Sequence, residues 1–232
     1  MHDVSEPHEI GHRPVPRLLV VMEGANDVSF LKGMSQALHR HLDEVPDLAA
    51  AEADGRVMFL HLAGQVTDVT TCRYASLGLP EFHLYASKSR SQLEWRQPIV
   101  EALQQRPNCA AFLTRKRSFE NYLHPKVVYT CRGETIDIAD DTDVPEALAA
   151  RFVEGDGACW AEMSRRHRRR NFHEARKWLC TIAVRDMTLN LLEQRDPPYE
   201  LIDWLMTVDS LIASPTEVSS DTRQENTRLV GV

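Results

Sequence analysis

Arg17-Leu18-Leu19-Val20-Val21-Met22-Glu23-Gly24-Ala25-Asn26-Asp27-Val28-Ser29-Phe30-Leu31 decides how the rest of this chain is read. Leu18 to Met22 is an unbroken apolar run, as expected of a buried parallel strand. It ends in Glu23-Gly24, and glycine permits a sharp turn that residues with a β-carbon resist. Val28, Phe30, Leu31 and Met34 then recur near helical spacing, with Asn26 or Asp27 placed to cap the helix. The unit is strand, turn, helix, with a carboxylate at the strand's C-terminal end, where open α/β sheets place their ligands. Glu23 and Asp27 flank the turn. They read either as two hard oxygen ligands for Mg²⁺ or Mn²⁺ or as a surface ion pair and a helix cap.

Working outward, the first 16 residues are polar and aperiodic and are expected to form a flexible leader. Arg56 to Leu62 is the second strand candidate, and Val66 to Leu77 a short helix. Phe82 to Tyr85 is a third strand, followed by a helix over Leu93 to Gln105. Cys109 to Leu113 is a fourth strand. Strands alternating with helices predict a small parallel sheet flanked by helices. Residues 129–213 read as a mainly helical extension. Asp143 caps one helix there, and Leu201, Trp204, Leu205 and Val208 stripe the last. Residues 214–232 are polar, and disorder is expected of them.

Composition narrows the function classes. A hydrophobic fraction of 43% and a charged fraction of 26% are those of a globular protein. A net charge of −7 argues against general coating of nucleic acid and leaves room for a local basic patch. No apolar run approaches a membrane span, so the cytoplasm is the expected location. Cys72, Cys109, Cys131, Cys159 and Cys180 are scattered and contain no Cys-x-x-Cys pair, which predicts reduced packing residues rather than a zinc site.

Two basic stretches stand out. Lys88 and Arg90 follow the third strand, and Arg115, Lys116 and Arg117 follow the fourth. Arg165, Arg166, Arg168, Arg169 and Arg170 form the densest cluster. It reads either as a solvated helix paired with Glu162 and Glu174 or as a phosphate-tracking surface. Lys116 and Glu120, four apart, read either as a pair across one helical turn or as a phosphate-stabilising cation beside a metal-associated carboxylate.

Val-Val-Met-Glu-Gly-Ala-Asn-Asp within a four-unit α/β pattern resembles the TOPRIM domain of topoisomerases, primases and recombination proteins. Lys116-Arg117-Ser118-Phe119-Glu120-Asn121-Tyr122 resembles the Lys-Arg-x-x-Glu-Asn-Tyr segment of the overcoming-lysogenization-defect (OLD) endonucleases. The likeness covers roughly Arg17 to Pro125, within an expected TOPRIM-like domain of residues 17–128, and is to the OLD-type branch without its ATPase domain. It implies a TOPRIM-like α/β fold and DNA as partner. It also implies a metal-dependent nuclease in which Mg²⁺ or Mn²⁺, held by Glu23 and Asp27, supports phosphodiester cleavage. Glu23, Lys116 and Glu120 would be catalytic. Lys88, Arg90, Arg115, Arg117 and the Arg165–Arg170 cluster would meet nucleic acid. One departure is plain: Ala86-Ser87-Lys88 stands where the family places an aspartate-containing triplet. Replacement ligands would have to come from Asp68, Glu120 or the Asp140 to Asp143 loop. The alternatives are a non-catalytic nucleic-acid-binding subunit and a module regulating a separately encoded ATPase. Oligomeric state stays open.

Overall fold

The computed structural model describes residues 15–64 and 66–214. Nearly all of the expected leader and tail lies outside the described residues. Four strands, β1 (Leu18–Met22), β2 (Val57–His61), β3 (Glu81–Tyr85) and β4 (Cys109–Leu113), form one sheet in the order β2-β1-β3-β4. All three pairings are parallel. The chain leaves β1 toward β2 on one side and returns to β3 on the other. Strand order therefore reverses between β1 and β3, and their C-terminal ends bound the crevice where such sheets bind ligands.

The alternation along β1 assigns its two faces. Leu18, Val20 and Met22 join one apolar cluster and Leu19 and Val21 another, all with no exposed surface. This explains an apolar run with no polar interruption. The second face is covered by α4 (Arg90–Gln104) through Ile99, Val100 and Leu103. The first carries α1 (Ala25–His39), α2 (Leu48–Ala53), α5 (Pro125–Arg132), α6 (Val144–Gly155), α7 (Arg165–Thr181), α8 (Leu189–Arg195) and α9 (Glu200–Ala213). Leu148, Leu179, Leu205 and Val208 from residues 129–213 pack in the same cluster as Leu18 and Phe30. The helical segment is thus continuous with the sheet's own core.

Local expectations change in three places. The Val66–Leu77 segment is broken: α3 is only Asp68–Thr71, and a single 3₁₀ turn covers Ala75–Leu77. Helix α1 is capped by Gly24 in extended conformation, with no side-chain capping bond, so neither Asn26 nor Asp27 is the cap. Gly24 also has an ordinary φ of −145°. A β-carbon there would stand 3.3 Å from Asp27 Oδ2, a tight contact that would press on that carboxyl. Deeper in α1, a β-carbon on Gly33 would meet Val184 Cγ1 at 2.6 Å, so this glycine lets the 183–186 turn lie against the helix.

Candidate functional site

The crevice at the β1/β3 reversal is built by three loops tied together through the backbone. Gly64 N–H donates to the Glu23 carbonyl at 2.9 Å and fixes the end of β1 against the loop after β2. Thr114 Oγ1 accepts from Ser87 N–H at 2.9 Å, and Ser87 Oγ donates to the Lys116 carbonyl at 2.7 Å. Lys88 N–H donates to the Arg117 carbonyl at 2.7 Å. These bonds hold the ends of β3 and β4 side by side and place Lys88 in the left-handed region, at φ 55°. A non-glycine residue held there by its surroundings is a strained position of the kind that clusters at functional sites.

Three carboxylates converge behind these loops, each with under 5% exposed surface: Glu23, Asp27 and Glu120. Each is met by a cation. Glu23 Oε1 accepts from Lys88 Nζ, and Glu23 Oε2 accepts from Arg96 Nη1 at 3.0 Å. Arg96 also donates to the Ala86 carbonyl. Arg176 bridges the other two, with Nε to Glu120 Oε1 at 2.7 Å and Nη2 to Asp27 Oδ1 at 2.6 Å. Buried carboxylates without partners would be prohibitively costly, and here Glu23 has two cations while Asp27 and Glu120 share one.

One guanidinium between two carboxyls does not hold both ionised equally. Arg176 and hydrogen bonding keep Glu120 below the usual carboxylate range despite full burial. Burial pushes Asp27 the other way, up to about 7, against the opposing pull of Arg176; the charges of Glu120 and Glu23 add to the rise. Glu120 is therefore the standing anion of the pair and Asp27 its protonatable member.

The remaining site residues expected from sequence fall into groups. Lys116 pairs with Asp140 rather than with Glu120, because residues 114–118 are loop and only Phe119–Tyr122 forms a 3₁₀ turn. Arg117 pairs with Asp143 at 2.8 Å. Arg115 Nε meets Glu200 at 3.2 Å, away from the carboxylates. Arg90 makes only an exposed pair with Glu94 at 3.6 Å. Within α7, Arg170 pairs with Glu174 at 3.9 Å, while Arg165, Arg166 and Arg168 make no ion pair among the described residues. Asn121 orients the turn: its side chain accepts from Ser118 and donates to the Ala139 and Thr142 carbonyls. Among the candidate substitute ligands, Asp140 and Asp143 hold Lys116 and Arg117. Asp68 sits in the first turn of α3.

Sequence reasoning did not find Arg96 and Arg176. A signal existed in both. Arg96 shares a stripe with Ile99, Val100 and Leu103 on α4, and Arg176 shares one with Phe172, Ala175, Leu179 and Cys180 on α7. An arginine on an apolar stripe requires a buried anion, which identifies it as a partner for a carboxylate elsewhere.

Beside the three carboxylates opens a cavity of about 410 Å³ lined by Lys88, Ser89, Gln92, Arg117, Ser118, Glu120, Asp143, Pro145, Phe172 and Arg176. Helical spacing places Arg165, Arg168, Phe172 and Arg176 along one side of α7, so the basic cluster runs into this cavity.

A second polar cluster lies along β3, on the face covered by α4. Glu81, His83 and Tyr85 are alternate residues of β3. His83 Nε2 lies 2.7 Å from Glu81 Oε2, His83 Nδ1 lies 2.6 Å from the Tyr85 hydroxyl, and Arg106 Nη2 donates to Glu81 Oε1 at 2.6 Å. Cys109, whose thiol burial pushes up to about 11, brings a third ligand-type atom within 4.8 Å of those of Glu81 and His83.

The donor set at the β1/β3 crevice does not fit the divalent metal that the TOPRIM resemblance implies. Both oxygens of Glu23 are taken by nitrogen cations, Lys88 stands in the triplet where an aspartate would be, and the three carboxyl groups already face three cations of the protein. A further divalent charge would have to displace one of them. The chain matches no protein-family model, no curated protein and no solved structure.

Proposed function

We propose that this chain is a TOPRIM-like nucleic-acid-binding protein in which internal ammonium and guanidinium groups take the place of the metal pair, so that it binds strands without cutting them. The observation that carries this reading is the double engagement of Glu23 by Lys88 and Arg96. A carboxylate whose two oxygens each already face a cation takes up a divalent ion only by displacing one of them, and is a poor holder of a metal-bound water. The same loops keep the crevice shaped for phosphate, and the arginines of α7 that make no ion pair among the described residues lead to it.

Binding of a fluorescent duplex and a single strand, measured in EDTA and in Mn²⁺, tests the reading. Affinity is expected to be the same in both, with no cleavage over hours. Replacing Arg165, Arg168 and Arg169 together by alanine should reduce the slope of log affinity against log salt by about 0.9 for each duplex phosphate no longer neutralised. Mn²⁺-dependent cleavage that disappears in Glu23→Ala would restore the nuclease assignment. An unchanged salt slope would remove α7 from the interface.

A further inference from the structure

The cluster on β3 brings together the donor types of a zinc site. Parallel register sets Cys109 of β4 beside Glu81 of β3, and Glu81 and His83 share a face as alternate residues. Ligand-type atoms of all three lie within 4.8 Å of one another. Tetrahedral zinc bonds put neighbouring ligand atoms about 3.3–3.8 Å apart, so side-chain shifts of about 1 Å bring these three into range. Two of them are also held from behind. Arg106 Nη2 occupies Glu81 Oε1 and leaves Oε2 facing His83 Nε2. The Tyr85 hydroxyl meets His83 Nδ1 and fixes the ring with Nε2 toward the carboxylate. Histidines that bind metal ordinarily have their second ring nitrogen engaged in this way. At Glu23 both oxygens face cations, whereas at Glu81 one of the two faces an imidazole. A fourth donor stands close by. Cys72 follows α3 directly, is exposed and free, and its charge acts on both Cys109 and Arg106.

We infer that Glu81, His83, Cys109 and Cys72 bind one Zn²⁺ ion, which ties the segment after α3 to the start of β3 and β4. No Cys-x-x-Cys pair marks the site, because its ligands come from three separate segments of the chain. The ion takes the place of the proton between Glu81 and His83, and the two thiol protons leave to solvent. Cys72 is exposed and Cys109 partly so, which gives the ion a way in. Zn²⁺ with three anionic ligands and a neutral imidazole carries one net negative charge, and Arg106 on Glu81 balances it. Two thiolates and an imidazole favour zinc over the oxygen-preferring ions Mg²⁺ and Mn²⁺. Four protein ligands leave no open position, so the ion is structural rather than catalytic. The site sits at the N-terminal ends of β3 and β4, the opposite end from the crevice, and it does not depend on the nucleic-acid reading.

Titration of the reduced full chain tests the site, with Zn²⁺ against a chromophoric chelator and with Co²⁺ followed by absorption. One ion per chain is expected, and the cobalt form should show tetrahedral ligand-field bands with a thiolate charge-transfer band. Cys109→Ser should lower zinc affinity at least about a hundredfold. Cys72→Ser should lower it about tenfold or more and remove about half of the charge-transfer band. Tyr85→Phe takes away only the hydroxyl behind His83 and should weaken binding about tenfold. Cys131→Ser and Cys159→Ser should change nothing, and millimolar Mn²⁺ should not displace the zinc. Circular dichroism of each variant separates loss of the ion from unfolding, and Cys72 is the exposed position where folding is least at risk. No stoichiometric binding at micromolar Zn²⁺, or equal binding by Cys109→Ser and wild type, overturns the site. A charge-transfer band unchanged in Cys72→Ser overturns the four-ligand, closed form of it.

Discussion

Two buried charged clusters, one along β3 and one at the C-terminal ends of the strands, are built in different ways. The cluster of Glu81, His83, Tyr85 and Arg106 comes from alternate residues of one strand and a residue just beyond α4. Its hydrogen bonds run head to tail along 5 residues, and none of its members lines the cavity beside Glu120. The cluster of Glu23, Asp27 and Glu120 takes its members from the end of β1, from α1, and from the turn after β4. Its cations come from the loop after β3, from α4 and from α7. Assembly from so many elements leaves a gap between them, and that gap is lined by Lys88, Arg117 and Arg176, cations with N–H groups to spare. Buried charge closed within one strand supports the fold, whereas buried charge gathered from across the fold borders a space that a ligand can enter.

The largest test of this contrast is Arg96→Met. It leaves Glu23 buried against apolar neighbours with only Lys88 as partner, and loss of one member of a buried ion pair typically costs about 3–5 kcal/mol. Urea unfolding should show that loss, and Arg96→Met combined with Glu23→Leu should recover most of it. If the single variant is as stable as wild type, the pair is not structurally required. The matching change in the other cluster, Glu81→Leu, should cost about 2–3 kcal/mol through lost bonds to charged and imidazole partners. It should leave strand affinity unaltered. A drop in affinity there would erase the functional distinction between the clusters.

A pH-dependent effect follows from Asp27. Its carboxyl titrates near 7 in the folded protein, against an ordinary value of 3.8. Between those values the folded chain holds a proton that the unfolded chain releases, so this group's contribution to stability falls as pH rises from about 4 to about 7. Asp27→Asn removes the titration. The variant should therefore gain on wild type by something on the order of 4 kcal/mol between pH 4 and pH 8, read as the difference in urea midpoints. A constant difference across that range would mean Asp27 stays ionised beside Arg176.

Much of the fold was legible because it rests on local patterns. The apolar run of β1, the Cys109–Leu113 strand, and the Asp143 cap followed by Pro145 each stated their structure within a few residues. Failures came where tertiary packing overrode the local signal. Asp27 has a good capping side chain, but Arg176, 149 residues away, draws it inward. The site was half legible for the same reason. Glu23 and Glu120 announced themselves by motif, whereas their partners on α4 and α7 were visible only as arginines misplaced on apolar stripes. The Glu81, His83 and Tyr85 set was hidden within a strand read for its hydrophobic content, since period-2 spacing places them together without marking them as polar partners.

The account depends on cations of the protein itself occupying the place of a divalent pair. Mn²⁺ titration of the full chain, followed by calorimetry and by the paramagnetic resonance signal of free ion, tests this directly. The account predicts no stoichiometric binding up to millimolar Mn²⁺, and the appearance of binding in Lys88→Asp, which returns a carboxylate to the triplet after β3. One or two ions bound per wild-type chain and lost in Glu23→Ala would contradict it.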